Sequence, residues 1–111
     1  FSPDGKLILS GGADHAVRLW EVASGQEVRA FSGHASTVTS VAFSQDGRFA
    51  LSASFDRSIR LWDVADGREI RRFKGHSDVV KTVALLPEGR HMLSGGLDEK
   101  VLLWEITPAR N

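Results

Sequence analysis

The sequence predicts an all-β fold: β-propeller blades of four antiparallel strands, about two and a half of them, which makes an incomplete propeller. Three observations predict it. The segment Phe1 to Ala42 aligns without gaps on Phe43 to Ala84, and half of the aligned positions are identical. Within each 42-residue period, short runs of β-forming residues alternate with turn signals, and the spacing of a long amphipathic helix is missing. The inner runs carry apolar residues on both faces, so each needs cover on two sides, which stacked neighbouring repeats supply.

The middle copy justifies each strand in turn. Thr37 to Ser44 (TVTSVAFS) is rich in β-formers and ends at Gln45-Asp46-Gly47, where the Asp-Gly pair suits a tight hairpin; this is strand a. Strand b, Arg48 to Ser54 (RFALSAS), turns at Phe55-Asp56-Arg57 into strand c, Ser58 to Val64 (SIRLWDV). After Ala65-Asp66-Gly67, strand d runs from Glu69 to Phe73, and Gly75-His76 leads into the next copy. In strand b, Phe49, Leu51 and Ala53 lie beside Ala50, and in strand c, Ile59 and Leu61 lie beside Trp62 and Val64.

The first copy supplies strands b, c and d and keeps only Phe1-Ser2 of strand a. The third supplies a, b and c, with strand c at Lys100 to Ile106, before Pro108 and the polar residues Ala109-Arg110-Asn111 end the pattern. Ten strands are expected. The propeller segment covers 1–106, as a partial blade (1–32), a full blade (33–75) and a terminal blade (76–106), followed by a C-terminal tail (107–111).

Composition removes several function classes. Lys+Arg 14 balances Asp+Glu 14, so the formal net charge is zero, whereas nucleic-acid and anionic-membrane binders rely on excess cations. No nucleic-acid partner is expected. The longest apolar runs, Val83 to Leu86 and Val101 to Trp104, fall far short of the roughly 20 residues that span a bilayer, so no membrane partner is expected either. With zero cysteines, disulfides, thiol catalysis and cysteine-ligated metals are excluded, which fits a reducing compartment; a cytoplasmic location is the expectation. The chain opens on Phe1 inside a motif, so an upstream part, with any targeting signal, is expected to be missing.

Trp20, Trp62 and Trp104 keep the 42-residue step, as do Asp14, Asp56 and Asp98, and Gly33-His34 recurs as Gly75-His76. The Gly-His pair, the Asp six residues before Trp, and Trp62-Asp63 closing strand c resemble the WD-repeat (WD40) β-propeller family over nearly the whole chain, to about Ile106. Trp20-Glu21 and Trp104-Glu105 carry an acidic swap in the name-giving dipeptide. The resemblance implies two buried hydrogen-bonded networks: His34, Ser52, Asp56 and Trp62, then His76, Ser94, Asp98 and Trp104. A partial set, Ser10, Asp14 and Trp20, lacks its His.

His, Ser and Asp are also the residue types of a hydrolytic triad. Catalysis needs one constellation opening into one cleft, whereas here the same types recur beside a large indole that fills the site. The expected role is therefore structural, with no catalytic residue and no cofactor. His15 and His91 have no second ligand at metal spacing, so no metal is expected. Gly11-Gly12 and Gly95-Gly96 lack the Lys-Ser/Thr and helix of a phosphate loop, and backbone crowding explains them better. Arg68, Arg71, Arg72 and Lys74 cluster on strand d, where charges on an outer edge guard against edge-to-edge aggregation.

Ala13, Phe55 and Leu97 precede the turn aspartates, and apolar side chains in a surface turn need a reason. In the family resembled, this turn lies on a face often used for partners, with the connection after the Gly-His pair. That points to Phe55 and Leu97, with Ser36, Thr37 and Asp78, as a peptide-binding patch; the competing reading packs each apolar side chain on the adjacent blade's turn. Propellers close with typically four to eight blades, so this chain does not close alone. The expected function is a non-enzymatic scaffold for protein or peptide partners, the C-terminal part of a larger propeller completed by N-terminal blades of the same chain. The alternative is a regulatory or substrate-docking propeller tail of a multidomain enzyme such as a bacterial Ser/Thr protein kinase. A fold of this kind does not choose between them.

Overall fold

The computed structural model describes residues 2–86 and 90–106, which form ten strands. They are β1 (Leu7–Gly11), β2 (Val17–Glu21), β3 (Glu27–Phe31), β4 (Val38–Phe43), β5 (Phe49–Ser54), β6 (Ser58–Asp63), β7 (Glu69–Lys74), β8 (Val80–Leu85), β9 (His91–Gly96) and β10 (Val101–Glu105). All pairings are antiparallel between consecutive strands, giving a three-stranded sheet β1-β2-β3, a four-stranded sheet β4-β5-β6-β7 and a three-stranded sheet β8-β9-β10. The expected order of b-c-d, a-b-c-d and a-b-c is the order observed. The expected tail 107–111 and Phe1 lie outside the described residues.

Strand ends shift by a residue. Strand d continues to Lys74, because Lys74 still pairs with Ser58 at the end of the β6–β7 ladder. Strand c stops at Asp63, because Val64 turns its amide to Arg48 O, outside the ladder with β7. The hairpin of strands a and b closes as Asp-Gly predicts. Ser44 Oγ donates to Asp46 Oδ1 at 2.7 Å, the same carboxylate oxygen accepts from the Arg48 amide, and Gly47 takes φ +75°, where a Cβ is unwelcome.

Bulges recur with the repeat. The β4–β5 ladder slips between Val38 and Ser40, and β8–β9 slips between Val80 and Thr82. Thr39, the extra residue of the first bulge, stitches two sheets together: its hydroxyl lies 3.1 Å from Ala53 O and 2.6 Å from Val80 O of the next sheet. A bulge frees a residue from the ladder, and Thr39 uses that freedom across the gap.

Two apolar clusters lie between the sheets. Leu9, Val17, Leu19 and Phe31 of the first sheet pack with Val38, Ala50 and Trp62 of the second. Leu51, Ala53, Ile59, Leu61 and Phe73, on the other face of the second sheet, pack with Val80, Val83 and Met92 of the third. β5 and β6 are thus covered on both faces, which is what their two-sided apolar pattern demands. The third sheet differs. Leu51, Ile59 and Leu61 have 42-step counterparts in Leu93, Val101 and Leu103, and these are exposed: Val101 is 74% and Leu103 63% exposed, against 1% for Ile59 and 2% for Leu61. The same side chains that form a core between sheets form an open apolar face on the last one.

Candidate functional site

The hydrogen-bonded chain of the second sheet starts at an indole. Trp62 Nε1–H donates to Ser52 Oγ at 2.8 Å, and Ser52 Oγ lies 2.6 Å from His34 Nε2. His34 Nδ1 lies 2.9 Å from Asp56 Oδ2. An ionised carboxylate only accepts, so Nδ1 carries the hydrogen, and Ser52 spends its own on Nε2. Every donor then has one acceptor, running Trp62 to Ser52 to His34 to Asp56. The third sheet repeats the arrangement with Trp104, Ser94, His76 and Asp98 at 2.8, 2.7 and 3.0 Å.

Asp56 also organises the turn. It accepts from the Ala35 and Ser58 amides and from Ser58 Oγ, at 3.0, 2.9 and 2.6 Å, so one carboxylate ties the b–c turn to the connection after Gly33-His34. Burial alone would raise its pKa, but these donors and the His34 ring N–H outweigh it and hold the carboxyl well below the usual carboxylate range. Burial pushes the His34 imidazole down, against the opposing pull of Asp56. Asp98 is likewise lowered, because the Ser77 amide and His76 outweigh its burial.

The first sheet shows what happens without the histidine. Trp20 still donates to Ser10 Oγ at 2.8 Å, but Asp14 turns to Arg18, whose Nη2 lies 2.6 Å away, and both side chains are substantially exposed. That hydrogen bond, with the Ala16 amide, lowers the Asp14 carboxyl. Ser10, Asp14 and Trp20 are therefore brought near one turn without forming one continuous chain.

Residue-type matching with a hydrolytic triad does not extend to access. Ser52 is completely buried and its oxygen is already engaged by the indole, so no substrate carbonyl reaches it. Each indole in turn leans on the preceding sheet: Trp62 stacks on Phe31 and Trp104 meets Phe73 edge-on, both with ring centroids 5.5 Å apart. Among the described residues no group of three His, Asp or Glu side chains is placed to hold a metal ion.

Two residues of this site escaped the sequence reading. Arg60 is buried against Asp56 (3.6 Å) and Glu69 (3.0 Å), and Ser58 feeds the same carboxylate. The available signal was the recurrence of Arg18 with Glu27 and Arg60 with Glu69 at the 42-residue step. Gly33 makes room for them: a methyl there would lie 2.6 Å from Arg60 Nη1 and 3.0 Å from the Trp62 ring, and at Gly75 a methyl would lie 2.7 Å from the Trp104 ring. Crowding also explains Gly11, against Val38, and Gly96, against Val79 O and His76. Gly12 has open space around it, so crowding does not explain that residue.

Stability should fall with acid in two steps. The folded pKa of His34 lies below its ordinary 6.5 and that of Asp56 below 3.8, so the unfolded chain binds more protons and stability rises with pH through both windows. The His34 contribution is complete above pH 6.5 and is lost as pH falls through the folded pKa. The Asp56 contribution follows, lost below about pH 4. Urea midpoints at pH 7.5, 5.5 and 3.5 are expected to decrease in that order, and a His34→Gln variant should lack the first decrease. A midpoint at pH 5.5 equal to or above that at pH 7.5 contradicts the neutral, buried histidine.

Above the buried chain lies an exposed turn surface. The Phe55 amide bonds to Thr37 O and the Leu97 amide to Val79 O, each at 2.9 Å, so each turn sits beside the connection that precedes strand a. Phe55 is 46% and Leu97 56% exposed. Ser36 and Thr37 are half-buried, their carbonyls accepting from Ser54 Oγ, and Asp78 is exposed. Ala13, the counterpart in the first sheet, is exposed but offers little apolar surface.

Comparison with known families settles what these repeats are. The WD domain, G-beta repeat family matches residues 1–21, 25–63 and 67–105. The chain belongs to the WD-repeat family. Three similar curated proteins each match it over about one repeat. It is 40% identical over 42 residues to the U3 snoRNP-associated protein-like YAOH of Oryza sativa subsp. japonica, covering 38% of this chain and 8% of that protein. An uncharacterized WD repeat-containing protein of Nostoc sp. is 50% identical over 40 residues, 36% of this chain and 3% of that one. The probable serine/threonine-protein kinase PkwA of Thermomonospora curvata is 44% identical over 38 residues, 34% of this chain and 5% of the kinase. These WD-repeat matches span less than a tenth of each relative. WD repeats are a protein-interaction scaffold, and the buried networks of this chain are the parts that hold its turns in place.

Proposed function

We propose that these WD repeats form part of a larger propeller that binds a protein or peptide partner and performs no chemistry of its own. The partner surface lies at the end of the blades carrying the b–c turns, with Phe55 and Leu97 as its apolar anchors. The observation that carries this reading is the exposure of two large apolar side chains on turns fixed from below by Asp56 and Asp98. Exposed apolar side chains on a rigid base lose little entropy on binding, which is how contact anchors work. The open face of Leu93, Val101 and Leu103 supports the larger assembly, since its counterparts are covered by a neighbouring sheet.

Peptides selected on the protein from a displayed random library test the surface. The double variant Phe55→Ser, Leu97→Ser is expected to weaken their binding more than about tenfold at unchanged melting temperature. Unchanged affinity places the partner surface elsewhere. A second reading, a propeller that docks substrates for a fused kinase, is favoured by the similarity to the probable serine/threonine-protein kinase. A Gly-rich phosphate loop and a catalytic-loop Asp in the same polypeptide would decide for it.

A further inference from the structure

Backbone strain is unevenly divided between the two ends of the blades. At the end of the a–b and c–d turns, the described residues with left-handed φ are all glycine: Gly5, Gly25, Gly47 and Gly67, between +72° and +78°. At the b–c end they are His15 (+71°), Arg57 (+73°) and Glu99 (+67°), spaced by the repeat. The three turns are built alike, each amide bonding to the carbonyl three residues earlier, at 3.2, 3.2 and 3.3 Å. A side chain in this region costs about 1 kcal/mol relative to glycine, so the fold by itself favours glycine at all seven positions.

Nothing inside the described fold repays that cost. Arg57 and Glu99 are exposed, and their side chains make no hydrogen bond or ion pair with any described residue. Two of these turns carry an apolar residue and a charged one two positions apart, and the two signs are opposite; the first turn carries Ala13 and His15. Phe55 has Arg57, since Asp56 is spent on His34, Ala35 and Ser58. Leu97 has Glu99, with exposed Asp78 on the adjoining connection; Lys100 follows, and Lys81 is the second residue of the neighbouring strand β8.

From strain kept where side chains face outward, and from this split of charge, we infer that Arg57 and Glu99 are specificity determinants of the partner surface. The partner is a protein segment with an apolar residue for Phe55 and Leu97, an acidic residue for Arg57 and a basic residue for Glu99 and Asp78. The inference rests on the reading of this end as the docking surface. Opposed charges select orientation more than they add affinity.

The probe is a phage-displayed library of random 12-residue peptides, selected on the protein at low salt. Enriched peptides should combine an apolar residue with an acid and a base, and selection on Arg57→Glu should replace the acid by Lys or Arg. Arg57→Gly and Glu99→Gly should each raise the melting temperature while weakening the wild-type peptides roughly fivefold. Equal binding by both glycine variants, or enriched peptides with no charge preference, overturns the inference. If Phe55→Ser, Leu97→Ser loses binding while the glycine variants keep it, the docking surface stands and the charged determinants fall. If no peptide is enriched, both fall.

Discussion

Replacing Asp56 by alanine should lower the stability of the protein by about 1–3 kcal/mol, whereas Asp14→Ala should cost far less. The two aspartates occupy the same place in successive repeats, so the comparison isolates context. Asp56 accepts from His34, Ala35 and Ser58 in a nearly buried setting, and its removal strands those donors along with part of the Arg60 charge. Asp14 is half exposed and mainly serves Arg18, and exposed ion pairs contribute little. Urea denaturation of both variants is the check. Equal losses would mean that the buried chain contributes nothing beyond the turn itself.

A second matched pair carries the largest expected difference. Leu61→Ala should cost about 2–5 kcal/mol, because Leu61 lies 2% exposed in the core between the second and third sheets. Leu103→Ala, one repeat later and 63% exposed, should cost less than about 0.5 kcal/mol. Thermal melts of the two variants read this directly. In a larger propeller, where a further sheet covers Leu103, the two costs should converge. The exposed trio predicts one more behaviour: the 111-residue chain alone should self-associate through this face, and Val101→Lys should reduce that in sedimentation experiments.

Much of the fold was legible in the sequence because the repeat reports it twice. The turn signals on either side of RFALSAS and SIRLWDV placed β5 and β6 to within a residue, and the 42-residue step carried those assignments to β1, β2, β9 and β10. The Trp, Ser, His and Asp positions emerged for the same reason. Arg60 and Thr39 did not. The Glu69 partner of Arg60 was marked in the sequence only by the recurrence of Arg18 with Glu27, and nothing there showed that the Arg60 guanidinium is buried against Gly33. The Thr39 bond to Val80 crosses between sheets from a bulge, and a bulge leaves no mark on composition. The division of left-handed residues between the two blade ends was equally hidden, since Arg57 and Glu99 read as ordinary surface charges until their φ angles are known.

The protonation state of one imidazole tests the central claim most directly, because the buried chain works as architecture only if each hydrogen runs in one direction. Long-range 1H–15N spectra at pH 7 should show His34 neutral, with its hydrogen on Nδ1 facing Asp56 and a protected Trp62 indole N–H. A hydrogen on Nε2, or a cationic ring titrating near 6.5, would contradict the donor chain, because the Ser52 hydroxyl would then lose its acceptor.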